Sequence, residues 1–279
     1  MTGLQPYTFN SRNRGATAIG GTFHTSSLRV IQEFILYSVV DSSTLAVSGV
    51  TKERIADRPI FDFTVTSGDA EIRDFKGGLA SVTVPYTLRQ GENPNAIVVY
   101  DLDKNGNLKH AMGLYDAEAG TVKMRVNQFS RFVIGYNKVE FTDVLSRGWY
   151  ADAVDFAVAH QFFNGVSDNK FEPNNEMTRA MVAKVIANME GADLTSYNTS
   201  AFVDVDKDAW YGAAIAWAAD NKIVSGVGSG KFDPNAPVTR EQLALMIHKF
   251  IEYKSTKLVG TNKPAFADAV STALQVENC

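Results

Sequence analysis

Hydrophobic and polar residues alternate along residues 60–136, which predicts a series of short β-strands. Phe61, Phe63 and Val65 are separated by polar residues, as in a strand with one buried face. Turns rich in glycine separate the other candidates, which are Glu71–Phe75, Ala80–Tyr86, Ala96–Leu102, Leu108–Tyr115, Thr121–Val126 and Phe132–Tyr136. Short strands at this spacing predict an all-β domain, an antiparallel sandwich. We place it at residues 28–137, because Leu28 to Val40 is also rich in β-branched and aromatic residues.

Weaker patterns precede and interrupt this domain. Residues 1–27 are rich in Gly, Thr, Ser and Asn and predict a linker or a disordered start. Asp101, Asp103 and Asn105 match the first half of a calcium loop, but Met112 stands where such a loop needs a glutamate. The Asn105-Gly106 pair is also a strong signal for a hairpin turn. We therefore predict a turn and no metal site.

After residue 140 the period becomes helical, and the pattern occurs twice. The second copy follows the first by 61 residues, so that Phe141 corresponds to Phe202 and Arg179 to Arg240. Each copy predicts a first helix, a Gly-Val step, an extended Phe-x-Pro turn and a second helix. A repeat unit rarely buries its apolar face alone, so we expect the copies to pack together.

The second helix of each copy begins at a threonine in the N-cap position. In the second copy, Gln242 completes a capping box with Thr239. In the first copy, Met181 takes the corresponding place after Thr178, and no box is predicted there.

These repeated residues resemble the S-layer homology domain. Both copies contain Phe-x-Asp-Val, Trp-Tyr, Ala-x-x-x-Ala, Gly-Val, Phe-x-Pro and Thr-Arg in that order. The resemblance gives repeat 1 at 141–191, repeat 2 at 202–253 and a truncated or degenerate repeat 3 at 266–279. It implies an all-α helical-repeat domain, so the predicted fold class is multidomain, all-β followed by all-α. The strands around residues 82–130 also resemble β-domains found beside such repeats.

Arg179 and Arg240 are the first candidates for binding residues. Each follows a threonine N-cap, where backbone N–H groups attract anions, and a guanidinium binds a carboxylate through two parallel hydrogen bonds. The alternative is an internal ion pair with Asp143 or Asp204, which are themselves candidates for orienting a ligand or for capping a helix. In the family signature Thr-Arg-Ala-Glu the glutamate is displaced or missing here. Glu241, beside Arg240, is therefore included as a candidate.

Trp149, Trp210, Gly165 and Gly226 complete the candidate site. An indole can pack on the C–H face of a sugar, although packing in a core is the alternative. The glycines either admit a ligand close to the backbone or end a helix with positive φ. No catalytic triad, phosphate loop or metal-like histidine spacing is present, so we predict no enzyme activity and no cofactor.

Composition narrows the class of partner. A formal charge of −4 without a basic patch excludes nucleic acid as the expected partner, and no apolar run is long enough for a transmembrane segment. Cys279 is the single cysteine, so no internal disulfide forms. The start lacks the apolar core of a signal peptide, and we expect a fragment of a longer exported protein.

The resemblance then implies a function outside the cell. It predicts non-catalytic anchoring to the cell wall or S-layer through an anionic, pyruvylated secondary cell-wall polymer, with other S-layer subunits as further partners. Two alternatives remain open. The chain is either the C-terminal anchor of a surface-attached glycoside hydrolase or other exoenzyme, or a protein–protein assembly module that binds no glycan.

Overall fold

The structure is a computed structural model that describes residues 16–25, 28–45, 47–67, 70–72, 79–126 and 128–254. The predicted repeat 3 and most of the predicted linker lie outside these ranges. The chain divides into two compact units. The first consists of Met1–Glu140 and Leu145–His160, and the second of Phe141–Val144 and Gln161–Cys279.

Antiparallel strands make up most of the first unit. They are β1 Ala16–Thr25, β2 Leu28–Val40, β3 Ile60–Ser67, β4 Ala70–Ile72, β5 Leu79–Pro85, β6 Ile97–Leu102, β7 Leu108–Ala111, β8 Gly113–Asp116, β9 Thr121–Val126 and β10 Arg131–Tyr136. Their hydrogen-bonded order is β7-β6-β10-β3-β2-β1-β5-β9-β8, and β4 forms a separate short ladder with β3.

Strands from both ends of this hydrogen-bonded order contribute to the core of the first unit. Val82 and Met124 come from β5 and β9, whereas Val99 and Ile134 come from β6 and β10, yet all four belong to one buried cluster. Strands from opposite parts of the series can share a core only if the sheet curls over itself. In β9 alternate residues are buried, as expected for strands with one inner face.

Helical segments interrupt the strands of this unit. The helix α1, Gly49–Ile55, begins at Ser48, whose side chain accepts a hydrogen bond from the amide of Thr51 at 3.2 Å. Two 3₁₀ turns lie at Ser42–Thr44 and Pro94–Ala96. The helix α2, Ala151–Ala159, also belongs to this unit, although it is the first helix of the first sequence repeat.

The second unit contains the helices α3 Arg179–Glu190, α4 Gly212–Asp220 and α5 Arg240–Tyr253. α3 and α4 pack against each other, and Ala183, Ile186 and Ile215 are buried in their common core. The capping box predicted at Thr239 is confirmed. The prediction of no box at α3 is wrong, because the sulfur of Met181 accepts the amide hydrogen bond of Thr178 at 3.5 Å.

The predicted fold class, all-β followed by all-α, is wrong. The N-terminal part is a β region of antiparallel strands, but α1, α2 and two 3₁₀ turns belong to the same unit, so it is not all-β. In the repeats, the helices have only 9, 12, 9 and 14 residues, and extended segments that form isolated β-bridges connect them. Helical periodicity identified the helices but carried no information about the hydrogen bonding of the loops.

Individual strands were predicted more accurately than the class. Leu28–Val40 and Thr121–Val126 are strands with the predicted bounds. The candidate at Leu108–Tyr115 is divided into β7 and β8 at Met112. β1 occupies part of the stretch for which the sequence predicts a linker. Within the described ranges, no helix has the length and apolar character needed to cross a membrane.

Candidate functional site

Arg179 joins the first repeat to the second. Its side chain is only 4% exposed, with Nε donating to the carbonyl oxygen of Phe232 at 2.8 Å and Nη2 to that of Ser225 at 2.9 Å. The guanidinium carbon lies 4.5 Å from the centre of the Phe232 ring, a distance typical of a cation–π contact. The arginine of one repeat therefore binds the backbone of the next, an arrangement that was not predicted from either repeat alone.

The first amides of α3 are also bound by the second repeat. The N–H groups of Arg179 and Ala180 donate to the carbonyl oxygens of Ala236 and Pro234, both at 3.0 Å. The N-cap oxygen of Thr178 takes the next amide hydrogen bond. The anion site that the sequence suggested at this helix terminus is therefore occupied by the protein's own carbonyl groups.

A small cavity lies beside the Arg179 guanidinium. Its volume is about 40 Å³, which is room for about three water molecules. Lys249 on α5 reaches its edge, where Nζ donates to the hydroxyl of Ser225 at 2.8 Å. The lining residues are Arg179, Ile223, Ser225, Gly226, Val227, Gln242, Leu245, Met246 and Lys249. Among the described residues, the cavity thus has two cationic side chains and no carboxylate in its wall.

Gly226 is required at this cavity because the chain approaches itself closely there. A Cβ atom on Gly226 would lie 2.6 Å from the carbonyl oxygen of Lys231 and 2.9 Å from the ring of Phe202. Gly165, at the corresponding position of repeat 1, is equally crowded, 2.5 Å from the ring of Phe141. Neither glycine has positive φ, so their interpretation as helix C-caps is wrong.

Asp143 and Asp204 bind backbone amides in the Phe-x-Pro turns. Asp204 accepts the N–H groups of Phe232 and Asp233, both at 2.8 Å, and Asp143 makes the corresponding two bonds in repeat 1. Asp233 has φ of 59°, a left-handed conformation that a non-glycine residue rarely adopts. Burial raises the pKa of Asp204, but the amide hydrogen bonds outweigh it and the pKa lies below its ordinary value. Asp204 therefore stabilises the turn that carries the Phe232 carbonyl oxygen, an acceptor of Arg179, and Asp143 stabilises the corresponding turn of repeat 1.

The two tryptophans present their rings to solvent. Trp149 is 95% exposed and Trp210 is 59% exposed, and each makes an edge contact with the tyrosine that follows it. Trp149 belongs to the first unit and Trp210 to the second. Large indoles exposed to this extent are available for a ligand and contribute little to a core.

Arg240 differs from its counterpart Arg179. It is the first residue of α5, its side chain is exposed, and it makes no hydrogen bond or ion pair within the described part of the chain. Glu241 follows it in the first turn, where a carboxylate is favoured by the helix dipole. The structure therefore brings Arg179 and Gly226 together at the cavity, whereas Arg240 and Glu241, at the start of α5, do not line it.

Sequence reasoning missed Ser225 and Lys249. Ser225 immediately precedes the Gly-Val step, and Lys249 is ten residues from the N-cap of α5 on the side that faces this step. Neither residue recurs at the offset of 61, since Asn164 and Asn188 take their places in repeat 1. A search for repeated residues could not find them.

The predicted calcium-like segment is a turn. Asp103 Oδ1 accepts the amides of Asn105 and Asn107, both at 2.8 Å, and Gly106 has φ of 83°. In the described ranges, no group of three or more His, Cys, Asp or Glu side chains lies close enough to hold a metal ion.

Comparison with known proteins finds a matching family model in the repeat region. The S-layer homology domain model matches residues 140–181 and 201–244, which confirms the two predicted repeats over these stretches. The surface-layer 125 kDa protein of Lysinibacillus sphaericus is 30% identical over 157 residues, covering 54% of this chain and 13% of that protein. An amylopullulanase of Thermoanaerobacterium thermosulfurigenes is 26% identical over 172 residues, 61% of this chain and 9% of the enzyme.

A third relative is the cellulosome-anchoring protein of Acetivibrio thermocellus. It is 31% identical over 94 residues, which are 33% of this chain and 21% of that protein. The chain thus spans less than a quarter of the length of each of these relatives. A surface-layer protein, an amylopullulanase and a cellulosome-anchoring protein are thus among the proteins to which this chain is similar.

Proposed function

We propose that this chain anchors an exocellular protein to the bacterial cell wall, without catalysis, by binding an anionic secondary cell-wall polysaccharide. The cavity beside Arg179 supports this proposal most directly. Two cationic side chains, Arg179 and Lys249, reach a space that the described residues line without a carboxylate. Such a pair attracts an acid group, and desolvation strengthens the attraction.

The dimensions of the cavity define which part of the glycan enters it. A volume of about 40 Å³ accepts an acid group such as the carboxylate of a pyruvyl substituent, but no complete sugar ring. The ring would remain outside, in reach of exposed apolar side chains such as Val227. Trp210 and Trp149 supply further exposed surfaces for sugar C–H faces.

Each such contact is weak, which fits an anchor that acts in many copies. One charge-assisted hydrogen bond contributes roughly 1.5–3 kcal/mol. Firm attachment would therefore come from several sites that bind one polymer, or from many chains in a surface lattice. Other S-layer subunits are the partners that such a lattice would add.

Removal of Lys249 tests the proposal without disturbing the arginine. Lys249→Ala deletes one cation from the cavity, and we expect about a tenfold loss in affinity for purified cell walls in a sedimentation assay. Lys184→Ala removes the same charge from α3, outside the cavity lining, and should bind like the wild type.

The walls supply the second control. Binding should fall when the acidic substituents are removed from the polymer and should disappear on walls stripped of the polymer. Equal retention by stripped walls, or equal affinity of the Lys249 and Lys184 variants, would contradict the proposal.

The amylopullulanase relative favours a second candidate for the whole protein, in which the repeats anchor a glycoside hydrolase. The endoglucanase of Bacillus sp. strain KSM-635, 28% identical over 122 residues, points the same way. Sequencing of the adjoining DNA would test this candidate, because a catalytic domain with paired carboxylates would have to be encoded in the same reading frame.

A further inference from the structure

One buried carboxylate attaches the first helix of repeat 1 to the strand unit. Asp155 on α2 accepts hydrogen bonds from Nζ of Lys138 and from Nδ2 of Asn93, the latter at 2.6 Å. Its side chain is only 11% exposed. Removing Lys138 or Asn93 would leave this carboxylate largely buried without a partner, which destabilises a fold. The two contacts therefore favour one position of α2.

The last turn of α2 is held as well. Nδ2 of Asn137 donates to the carbonyl oxygen of Ala159 at 2.8 Å, and Ala159 is buried in a cluster with Ala96 and Val98. α2 has nine residues, and a helix of this length is not stable in water without tertiary contacts. Its existence and its orientation therefore depend on docking to the strand unit.

The second repeat has no carboxylate at the equivalent position. The position of Asp155 is taken in α4 by Ala216, which is 9% exposed within the apolar sequence of that helix. α4 packs against α3 in the second unit. At this position the two first helices thus differ in chemistry, with a carboxylate in α2 and a methyl group in α4.

α2 also determines where the Trp149 indole is presented. The amide of Gly148 donates to Leu145 at 2.8 Å and that of Ala151 donates to Gly148 at 3.0 Å, so these turns lead directly into the helix. We propose that Asp155, held by Lys138 and Asn93, is a positioning residue for Trp149 as a glycan contact. The strand unit thereby takes part in anchoring. This inference rests on the proposed function.

Wild type, Asp155→Ala, Trp149→Ala and the double variant test it in the full chain. We expect amide hydrogen exchange in α2 to be about tenfold faster in Asp155→Ala, while exchange in α4 is unchanged. Affinity for purified walls should fall in Asp155→Ala by about the same factor as in Trp149→Ala. In the double variant the loss should equal that of Trp149→Ala alone, because a misplaced indole and a missing one are equivalent. Asp152→Ala removes an exposed carboxylate from the first turn of the same helix, where only the helix dipole favours it, and should have a much smaller effect than Asp155→Ala in both measurements.

Each contrary outcome has a distinct meaning. Failure of the wild type to bind walls would overturn the proposed function and this inference with it. Wall binding by the wild type with equal α2 exchange in Asp155→Ala and Asp152→Ala would overturn the inference alone. Faster exchange without a loss of affinity, or additive losses in the double variant, would also refute the positioning role.

Discussion

Arg179 and Arg240 occupy equivalent positions of the two repeats but have opposite environments, which makes them a matched pair for mutation. Arg179→Ala removes two hydrogen bonds from a cation to the Phe232 and Ser225 carbonyl oxygens. At about 1.5–3 kcal/mol for each bond, these two bonds together contribute about 3–6 kcal/mol. Water can hydrate the vacated carbonyl groups through the adjoining cavity, so we expect a loss of about 3 kcal/mol in the free energy of unfolding. Arg240→Ala should change it by less than about 0.5 kcal/mol, because that side chain is exposed.

Trp217 provides the assay. It is 5% exposed in the core of the second unit, whereas the other two tryptophans are already exposed in the folded state. The fluorescence change on unfolding in urea therefore reports mainly this unit. With an m-value of about 2 kcal/mol/M, Arg179→Ala should lower the urea midpoint by about 1.5 M. If both arginine variants unfold at the wild-type midpoint, the hydrogen bonds of Arg179 do not hold the repeats together.

Two further predictions concern pH. The pKa of Asp204 is lowered in the folded state, so its contribution to stability is complete above the ordinary value near 3.8 and is lost as pH falls through the lower folded pKa. Asp204→Ala should destabilise the second unit at pH 7 and weaken its acid sensitivity below about pH 4, measured by Trp217 fluorescence in urea. Burial and the neighbouring His110 lower the pKa of His160 to about 4. The unfolded state takes up this proton near pH 6.5, so the first unit should lose stability from there towards pH 4. His160→Asn should reduce this loss in hydrogen-exchange protection factors, and the part that remains belongs to His110, whose pKa burial also lowers.

The periodic parts of the chain were predictable because their signals are local. An alternating strand such as β9 and a threonine N-cap such as Thr239 determine their structure within a few residues. The repeat at an offset of 61 also identified which residues belong to equivalent turns. Asp143 and Asp204 are an example, since both bind the same two amides of their own turn, at a separation of about 28 residues.

The contacts between repeats could not be derived from the repeat pattern. The pattern places Arg179 and Gly165 in one repeat, but the structure brings Arg179 to Gly226 and Ser225 of the next repeat. The residue that adds the second cation, Lys249, has no counterpart in the first copy. Such contacts depend on which segment of the chain packs against each repeat. Aligning the two repeats treats them as if they had the same neighbours.

Equivalent residues therefore acquire different roles according to the neighbour that each repeat meets. Asp155 binds Lys138 and Asn93 of the strand unit, whereas Ala216, at the equivalent position of α4, is a buried methyl group without such partners among the described contacts. Positions at which the two repeats carry different residues therefore indicate where their neighbours differ. For the same reason, mutation of the two arginines, which the repeat pattern treats as equivalent, should give different results in the unfolding assay.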